Sequence, residues 1–355
     1  MPRLNLFVAA VVTVGLALAS NAARTETIKI TAIAGPPPVA SNTKMMKNVF
    51  VPTVNKILKE DGGKYNIEWT QGYGQSLAKI TDTFEAVEEG IAQVGLIIAV
   101  FEESKLPMEQ YTFSIPFGAS ETKTISDINR RLREKIPEMN AHWGKFNQEI
   151  LSFGAELPWH IYTTFPIKTY KDLKGHKIGS SGSAGNLVRG TGAVVVNDTM
   201  HSSFNNIRNG LYDGYPSSIG LGFVYKIFAA APHLTQVNFG ARIGGGISVN
   251  KKEFAKWPQP VQKAFRIAAK AWSGAYDKAV NALEKKFTGI MKNKGAKVAP
   301  FGEAERRAWA HALPNIAKQW AADLDKKGLP GTKILNTYMA ELRNAGVKPA
   351  RDWDK

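Results

Sequence analysis

Strand and helix patterns alternate through the first 100 residues, and this alternation constrains the fold more than any other feature of the chain. Apolar residues alternate in the strand segments and recur at helical spacing between them, in the order strand 27–33, helix 41–58, strand 65–69, helix 79–89 and strand 93–99. Such an order is typical of a parallel sheet covered by helices. We therefore expect an α/β fold with ligand-binding loops beyond the carboxyl ends of the strands, near 36–39, 73–76 and 100–101.

A second strand-and-helix unit begins near residue 150. Strand patterns cover 157–164 and 177–178, a helix is predicted over 183–191, a short buried strand over 194–196 and another helix over 203–211. An extended segment, 232–247, is predicted to return to the first unit. A chain of 355 residues exceeds the roughly 250–300 at which a single core stops growing, which also favours two domains.

A helical pattern of unusual length follows Pro258. Val261, Phe265, Trp272 and Tyr276 recur on one face, and between Val261 and about Met291 no proline interrupts the pattern. Globular helices usually run for roughly 8–20 residues. We expect this helix to cross both domains, with further helices over 303–327 and 332–345.

The N-terminus has the three-part pattern of a secretory signal. Arg3 is followed by an apolar stretch over 4–18 and by small residues, with cleavage expected near Ala22 or Ala23. The chain has no cysteine, which excludes zinc–thiolate sites and cysteine nucleophiles. We expect an exported protein without disulfides.

The net charge of +16 does not by itself indicate nucleic-acid binding. The lysines are scattered, so we expect no nucleic-acid partner and interpret the charge as a solvated surface or as long-range attraction of an anion. The six histidines show no metal-ligand spacing, and no nucleophile elbow or phosphate loop is present. We therefore expect no metal, no cofactor and no catalytic residues.

Several segments together resemble the solute-binding receptors of tripartite ATP-independent periplasmic (TRAP) transporters. The most specific of them are, in chain order, Gly72-Tyr-Gly-Gln-Ser-Leu77, Glu85-Ala-Val-Glu-Glu-Gly90, Thr164-Phe-Pro-Ile167, Asp172-Leu-Lys-Gly175 followed by Lys177-Ile178, Asn209-Gly-Leu-Tyr-Asp213-Gly214, and Trp257-Pro258. The similarity extends over essentially the whole chain after the signal.

The resemblance implies two α/β lobes that close on a small organic ligand, a long helix across both, and delivery to a small and a large membrane subunit without chemistry. It places a signal peptide over 1–23, lobe I over 24–149 and about 240–285, lobe II over 150–239 and about 286–310, and C-terminal helices over 311–355. A sensory ligand receptor or an exported enzyme on the same scaffold are the alternatives.

The residues inside this frame depart from the family's pattern. Typical members clamp a carboxylate with two arginines and an asparagine, and the matching positions here are Trp159, Gly179 and Ser217. Either another basic residue, Lys177 or Arg242, takes over the clamp, or the ligand differs. We favour a ligand that is an organic acid with an aromatic or bulky apolar body.

The candidate binding residues follow from that preference. We expect Trp159 to offer a flat apolar face, Gly179 to leave space, and the serines to form hydrogen bonds with the ligand. The acid group of the ligand is expected to bind the backbone N–H groups of 180–183. A cationic ligand would require Glu156 or Glu102 as its counter-charge. His160 alternates with Trp159 and is interpreted as structural. The predicted site comprises Trp159, Gly179, Ser180, Ser181, Tyr215, Ser217, Tyr73, Phe101 and Val39.

Overall fold

The computed structural model describes residues 25–355, so the predicted signal lies outside the described residues. Within them the fold is mixed α/β with two sheets, as predicted. The strands are β1 (Glu26–Ala34), β2 (Tyr65–Tyr73), β3 (Val94–Ile97), β4 (Gln148–Glu156), β5 (Trp159–Thr163), β6 (Lys177–Ser180), β7 (Val194–Asn197), β8 (Gly214–Ser218), β9 (His233–Gln236), β10 (Arg242–Asn250) and β11 (Lys297–Pro300).

The first sheet has the strand order β2-β1-β3-β10-β4. β1 pairs in parallel with β2 and with β3, with Ile30 opposite Trp69 and Ala34 opposite Leu96. β10 runs antiparallel to both of its neighbours, β3 and β4. The parallel sheet expected from the first 100 residues is therefore confirmed, and later chain extends it.

The second sheet has the order β11-β9-β5-β8-β6-β7. β6 pairs in parallel with β7 and β8, whereas β5 runs antiparallel to β8 and β9. The chain passes from the first sheet to the second between β4 and β5, and it returns between β9 and β10. These two crossings touch, because the backbone N–H of Phe239 donates to the carbonyl of Trp159 at 2.9 Å.

Helices cover the faces of both sheets. They are α1 (Ser41–Met45), α2 (Val51–Glu60), α3 (Thr83–Glu88), α4 (Tyr111–Ser114), α5 (Thr122–Lys135), α6 (Glu138–Trp143), α7 (Ser203–Arg208), α8 (Ile219–Val224), α9 (Ile227–Ala230), α10 (Lys251–Lys256), α11 (Gln259–Asn293), α12 (Glu303–Ala312), α13 (Ile316–Lys326) and α14 (Gly331–Asn344). A π-helix (Met46–Phe50) joins α1 to α2, and short 3-10 helices cover Ala99–Phe101, Pro107–Gln110, Gly144–Phe146, Tyr170–Leu173 and Gly182–Val188.

The long helix α11 confirms the pattern that follows Pro258. It has 35 residues and is therefore about 52 Å long at 1.5 Å per residue. Phe265 and Trp272 are buried in the core of the first sheet, whereas Phe287 stacks on Phe223 of α8 at 4.2 Å. Its apolar face thus packs on elements associated with both sheets. Among residues 25–355, no helix is long and apolar enough to cross a membrane.

Three local predictions need correction. The valines of β7 are not buried, since Val194 is 54% and Val195 is 42% exposed, because β7 is the edge strand of its sheet. The predicted helix 183–191 is a 3-10 helix over Gly182–Val188. The helix predicted over 203–211 ends at Arg208, so Leu211 lies beyond the end of α7 and is 48% exposed.

Candidate functional site

A cavity lies between the two sheets, where loops from both converge. On the side of the first sheet, the cavity is lined by the segments after β1 and β3, by the end of β4, by the start of β10 and by α11. On the side of the second sheet, it is lined by β5, by the segments after β6 and β7, and by α8. The residues that line it are Pro36, Asn42, Ile80, Ile98, Val100, Phe101, Phe113, Glu156, Trp159, Ser181, Met200, His201, Leu221, Tyr225, Arg242, Gly244 and Tyr276.

The position of this cavity follows from strand direction. The loops after β1, β3, β6 and β7 leave the carboxyl ends of parallel strands, which is where open α/β sheets bind ligands. The cavity has a volume of about 60 Å³, counted as space open to the centre of a water molecule. One water requires roughly 10–15 Å³ on that measure. The site is therefore sized for one small molecule.

Trp159 forms part of the cavity wall as the first residue of β5. Its side chain is only 5% exposed, and its ring packs edge-on against Phe113 at 5.2 Å. Among the residues that the structure describes, none accepts a hydrogen bond from the indole Nε1. A buried N–H of this kind usually has a partner, so the indole retains a donor for a bound molecule.

Arg242 brings a cation into the same cavity from the start of β10. The side chain is fully buried, and its guanidinium lies 4.4 Å from the centre of the Phe113 ring and 5.7 Å from that of Trp159. It donates to the backbone carbonyls of Thr112 and Phe239, and the described residues leave its Nε without an acceptor.

The Arg242 charge lacks a protein counter-ion. Within residues 25–355, no carboxylate oxygen lies within 4.0 Å of the guanidinium. Burial lowers the pKa of Arg242 to about 9, so the group still carries its charge at neutral pH. Because an unpaired buried charge costs several kcal/mol, roughly 3–5 by the measured cost of breaking a buried pair, this guanidinium favours a bound anion.

Glu156 places a carboxyl group in the cavity from the end of β4. Its oxygens accept hydrogen bonds from the hydroxyl of Tyr276 and from Ser218 Oγ at 3.3 Å. Burial raises the pKa of Glu156 to about 7, and the two hydroxyl donors oppose that effect. The carboxyl is thus close to its titration point at neutral pH.

His201 and Tyr225 close the opposite side of the cavity. Their rings meet edge-on at 4.9 Å, and burial lowers the pKa of His201, which favours a neutral imidazole. No described residue is hydrogen-bonded to His201 Nδ1. The cavity therefore combines one cation and one titratable carboxyl with a largely aromatic and aliphatic wall.

The sequence profile of the bacterial extracellular solute-binding proteins, family 7, matches residues 39–323. That match spans most of the chain. The chain belongs to this family. The resemblance that we inferred from its motifs is thereby confirmed.

Solved structures of TRAP solute-binding proteins share the fold of this family 7 protein. One, from a marine metagenome and specific for pyroglutamate, has a TM-score of 0.75 at 20% identity and covers 88% of this chain and 99% of its own. A second, from Rhodoferax ferrireducens T118 with copurified benzoate, has a TM-score of 0.78 at 15% identity and covers 90% of this chain and 98% of its own. A third, from Sulfitobacter sp. NAS-14.1 with bound β-D-galacturonate, has a TM-score of 0.74 at 15% identity and covers 87% of this chain and 99% of its own. At these identities the likeness shows the two-lobed fold alone.

Of the binding residues predicted from the sequence, the structure places three in the wall of the family 7 protein's cavity. These are Trp159, Phe101 and Ser181. The Ser181 hydroxyl is already engaged, since it bonds to the hydroxyl of Tyr215 at 2.6 Å and donates to the Asp198 carbonyl at 3.1 Å. It is therefore less free for a ligand than we expected.

The other predicted residues lie outside the cavity lining. Tyr215 is buried behind Ser181, and Ser217 directs its hydroxyl to the sulfur of Met200 at 3.7 Å. Ser180 is fully buried, Tyr73 is half-buried in β2, and Val39 is 70% exposed on a loop. Tyr73 is the last residue of β2, and Tyr215 and Ser217 lie within β8, so these side chains are directed by the strands and not by loops.

One expectation about the clamp positions is corrected. A Cβ at Gly179 would lie 2.5 Å from the ring of Tyr212, so the space expected beside this glycine is already filled. The cavity also contains a guanidinium, that of Arg242, which lies 5.7 Å from the centre of the Trp159 ring. Of the two basic residues considered from the sequence, Arg242 lines the cavity, whereas Lys177 is exposed at the start of β6.

Several lining residues escaped the sequence reasoning. Met200 and His201 follow β7 at its carboxyl end, so the strand-end rule could have located them. Tyr276 appeared only as a core residue of the long helix, although its hydroxyl reaches Glu156. Phe113 and Tyr225 carry no recognisable signal in the sequence, because their positions depend on how separate segments pack.

Proposed function

We propose that this protein is the periplasmic receptor of a TRAP-type transporter for a small organic acid with a compact aromatic or apolar body. The receptor closes two lobes on the acid and delivers it to the small and large membrane subunits, and it performs no chemistry. Membership in the extracellular solute-binding family and the TRAP fold support the general role. The signal over 1–23, cleaved near Ala22 or Ala23, would direct it to the periplasm.

The observation that carries the ligand class is the buried Arg242 guanidinium without a protein counter-ion. A carboxylate from the ligand would neutralise this charge and accept hydrogen bonds from the free N–H groups of the guanidinium. The neighbouring Trp159 Nε1 is oriented by packing against Phe113 and offers one more donor. The arrangement takes the place of the arginines that the family usually carries at positions 159 and 179.

The aromatic or apolar body is supported by the rest of the wall. Ile98, Val100, Phe101, Phe113 and Leu221 surround the same cavity. A compact ring bound against these side chains would lose its contact with water, which favours binding by about 25 cal/mol per Å² of apolar area buried. Solved relatives of the same fold hold pyroglutamate and benzoate, both small cyclic acids.

We propose that the two lobes follow the limits given by the sequence. Lobe I, over 24–149 and about 240–285, would contain the first sheet, and lobe II, over 150–239 and about 286–310, most of the second. β4 is the exception, since it pairs with β10 in the first sheet although most of it lies beyond the proposed limit at residue 149. The C-terminal helices over 311–355 would pack on both lobes.

Isothermal titration calorimetry and thermal shift with a panel of ligands test the proposal. The panel contains benzoate, pyroglutamate, galacturonate, succinate and the uncharged benzamide. Benzoate or pyroglutamate should bind and raise Tm, since a ligand at 100 times its Kd stabilises a protein by about 2.7 kcal/mol. Benzamide should not bind. Equal binding of benzoate and benzamide would refute the carboxylate site, and a response to succinate alone would refute the apolar body.

A matched pair of variants isolates Arg242. Arg242→Met should abolish binding of the acids. Arg306→Met is the control, because Arg306 is also buried, donates to the Asn238 and Phe117 carbonyls and packs over the Phe117 ring, yet does not line the cavity. Comparable loss of binding in both variants would indicate a general structural effect. Conversion of a bound acid during incubation would instead favour the exported enzyme.

A further inference from the structure

We propose that Glu156 is a second recognition group of this cavity and that the ligand is a carboxylate that also carries an N–H or O–H donor. The ligand class is thus a compact lactam or hydroxy acid rather than a plain hydrocarbon acid. This inference rests on the proposed function, because it assumes that Arg242 takes the carboxylate of the ligand.

The first argument is the placement of the two charged groups. Glu156 ends β4 and Arg242 begins β10, and the two residues are direct partners across the antiparallel ladder. Both side chains line the cavity. They nevertheless form no ion pair in the described chain, since no guanidinium nitrogen of Arg242 lies within 4.0 Å of a carboxylate oxygen. Each group therefore remains available to a different part of one ligand.

The second argument is the way Glu156 is held. Tyr276 from α11 and Ser218 from the end of β8 each donate a hydroxyl to it, and the backbone N–H of Leu157 also contributes. A carboxylate has about four acceptor positions, so one remains for a ligand. Donors from both sides of the cavity fix the carboxyl in one orientation, as a recognition group requires.

The third argument is the chemistry of a buried carboxyl. In the ionised form Glu156 is only partly compensated by its neutral donors, and burial opposes ionisation. An N–H or O–H donor from the ligand would satisfy the remaining acceptor position. A ligand without a donor would leave that position unpaired in a closed site, and sites of this kind discriminate strongly against such analogues.

Two matched pairs of ligands test this inference by calorimetry. Pyroglutamate is compared with cyclopentanecarboxylate, and 3-hydroxybenzoate with benzoate. In the wild-type receptor the donor-bearing member of at least one pair should bind on the order of tenfold to a hundredfold more tightly. Glu156→Gln and Glu156→Leu should lower the affinity for the donor-bearing member of that pair by the same factor and so lose the preference.

A control variant separates recognition from a general effect of removing a buried charge. Asp277 follows Tyr276 on α11, is hydrogen-bonded to Ser126 and to the Ala155 N–H, and lies outside the cavity lining. Asp277→Asn should keep the preference. Equal wild-type affinities within both pairs, or a preference that survives in Glu156→Gln, would overturn the inference while leaving the proposed function intact. If no acid of either pair binds the wild type, the proposed function fails instead.

Discussion

Replacing Glu156 by glutamine should remove a pH-dependent loss of stability. Glutamine keeps the size of the side chain and an oxygen that can accept from Tyr276, but it cannot ionise. In the folded receptor, burial raises the pKa of Glu156 from 4.5 to about 7. The folded state therefore holds its proton over a range of pH in which the unfolded chain has released it.

The sign and size follow from this difference in pKa. Because the folded pKa is raised, the stabilising contribution of protonated Glu156 is complete below pH 4.5 and is lost as pH rises to about 7. One pKa unit corresponds to about 1.4 kcal/mol, so the total loss is about 3 kcal/mol. Relative to wild type, Glu156→Gln should thus gain about 3 kcal/mol between acidic and neutral pH, with little further change above pH 7.

Urea denaturation of the ligand-free protein at pH values from 4.5 to 8 measures this difference. The free energy of unfolding of each variant is obtained at every pH, and other titrating groups cancel in the subtraction. Glu156→Asp retains a carboxyl at this position and should retain a pH-dependent stability. A difference between wild type and Glu156→Gln that stays constant across the range would refute the raised pKa and the reasoning that depends on it.

Three further substitutions test other parts of the structure. Burial lowers the pKa of His160 from 6.5 to about 4, so the wild type should lose about 3 kcal/mol as pH falls through this range, and His160→Gln should lack that acid sensitivity in urea titrations. Gly179→Ala should lower the free energy of unfolding by about 1–3 kcal/mol, because the new Cβ would contact the Tyr212 ring. Gly274→Ala is the control: it lies on α11 with open space around it and should stabilise the protein by about 0.5–1 kcal/mol. Equal effects of the two substitutions would contradict the expected clash at Gly179. Asp172→Ala should cost about 1 kcal/mol and lower Tm, because Asp172 caps the 3-10 helix Tyr170–Leu173 by accepting hydrogen bonds from the backbone N–H groups of Lys168 and Thr169 at 2.7 and 2.8 Å. An unchanged Tm would argue against this cap.

The elements that the sequence predicted well are those specified by local periodicity. The alternating strand near 27–33 and the long apolar stripe after Pro258 each repeat with the period of their own structure, so neighbouring residues suffice to identify them. The motif segments around Asp172 and Asp213 also identified the family. Short elements failed more often, because a few residues leave packing to decide between a helix, a 3-10 helix and a turn.

Burial on an edge strand could not be inferred in the same way. Val194 and Val195 read as a buried strand because valine favours strands and interiors. Their exposure follows from the position of β7 at the end of its sheet, and that position is set by the order in which distant segments pair. The residues of a strand do not indicate whether it lies at the edge or in the middle of its sheet.

The sequence by itself determined the strands of the first 100 residues, the long helix, the family, and the loops after the first and third strands, because these depend on local patterns and on the general rule for strand ends. Only the tertiary structure decided which side chains face the cavity. It brought Arg242, far along the chain from Trp159, against the indole ring, filled the space beside Gly179 with Tyr212, and set Glu156 between two hydroxyl donors. These contacts join residues from separate segments, so they arise from tertiary packing and not from the order of residues in any one segment.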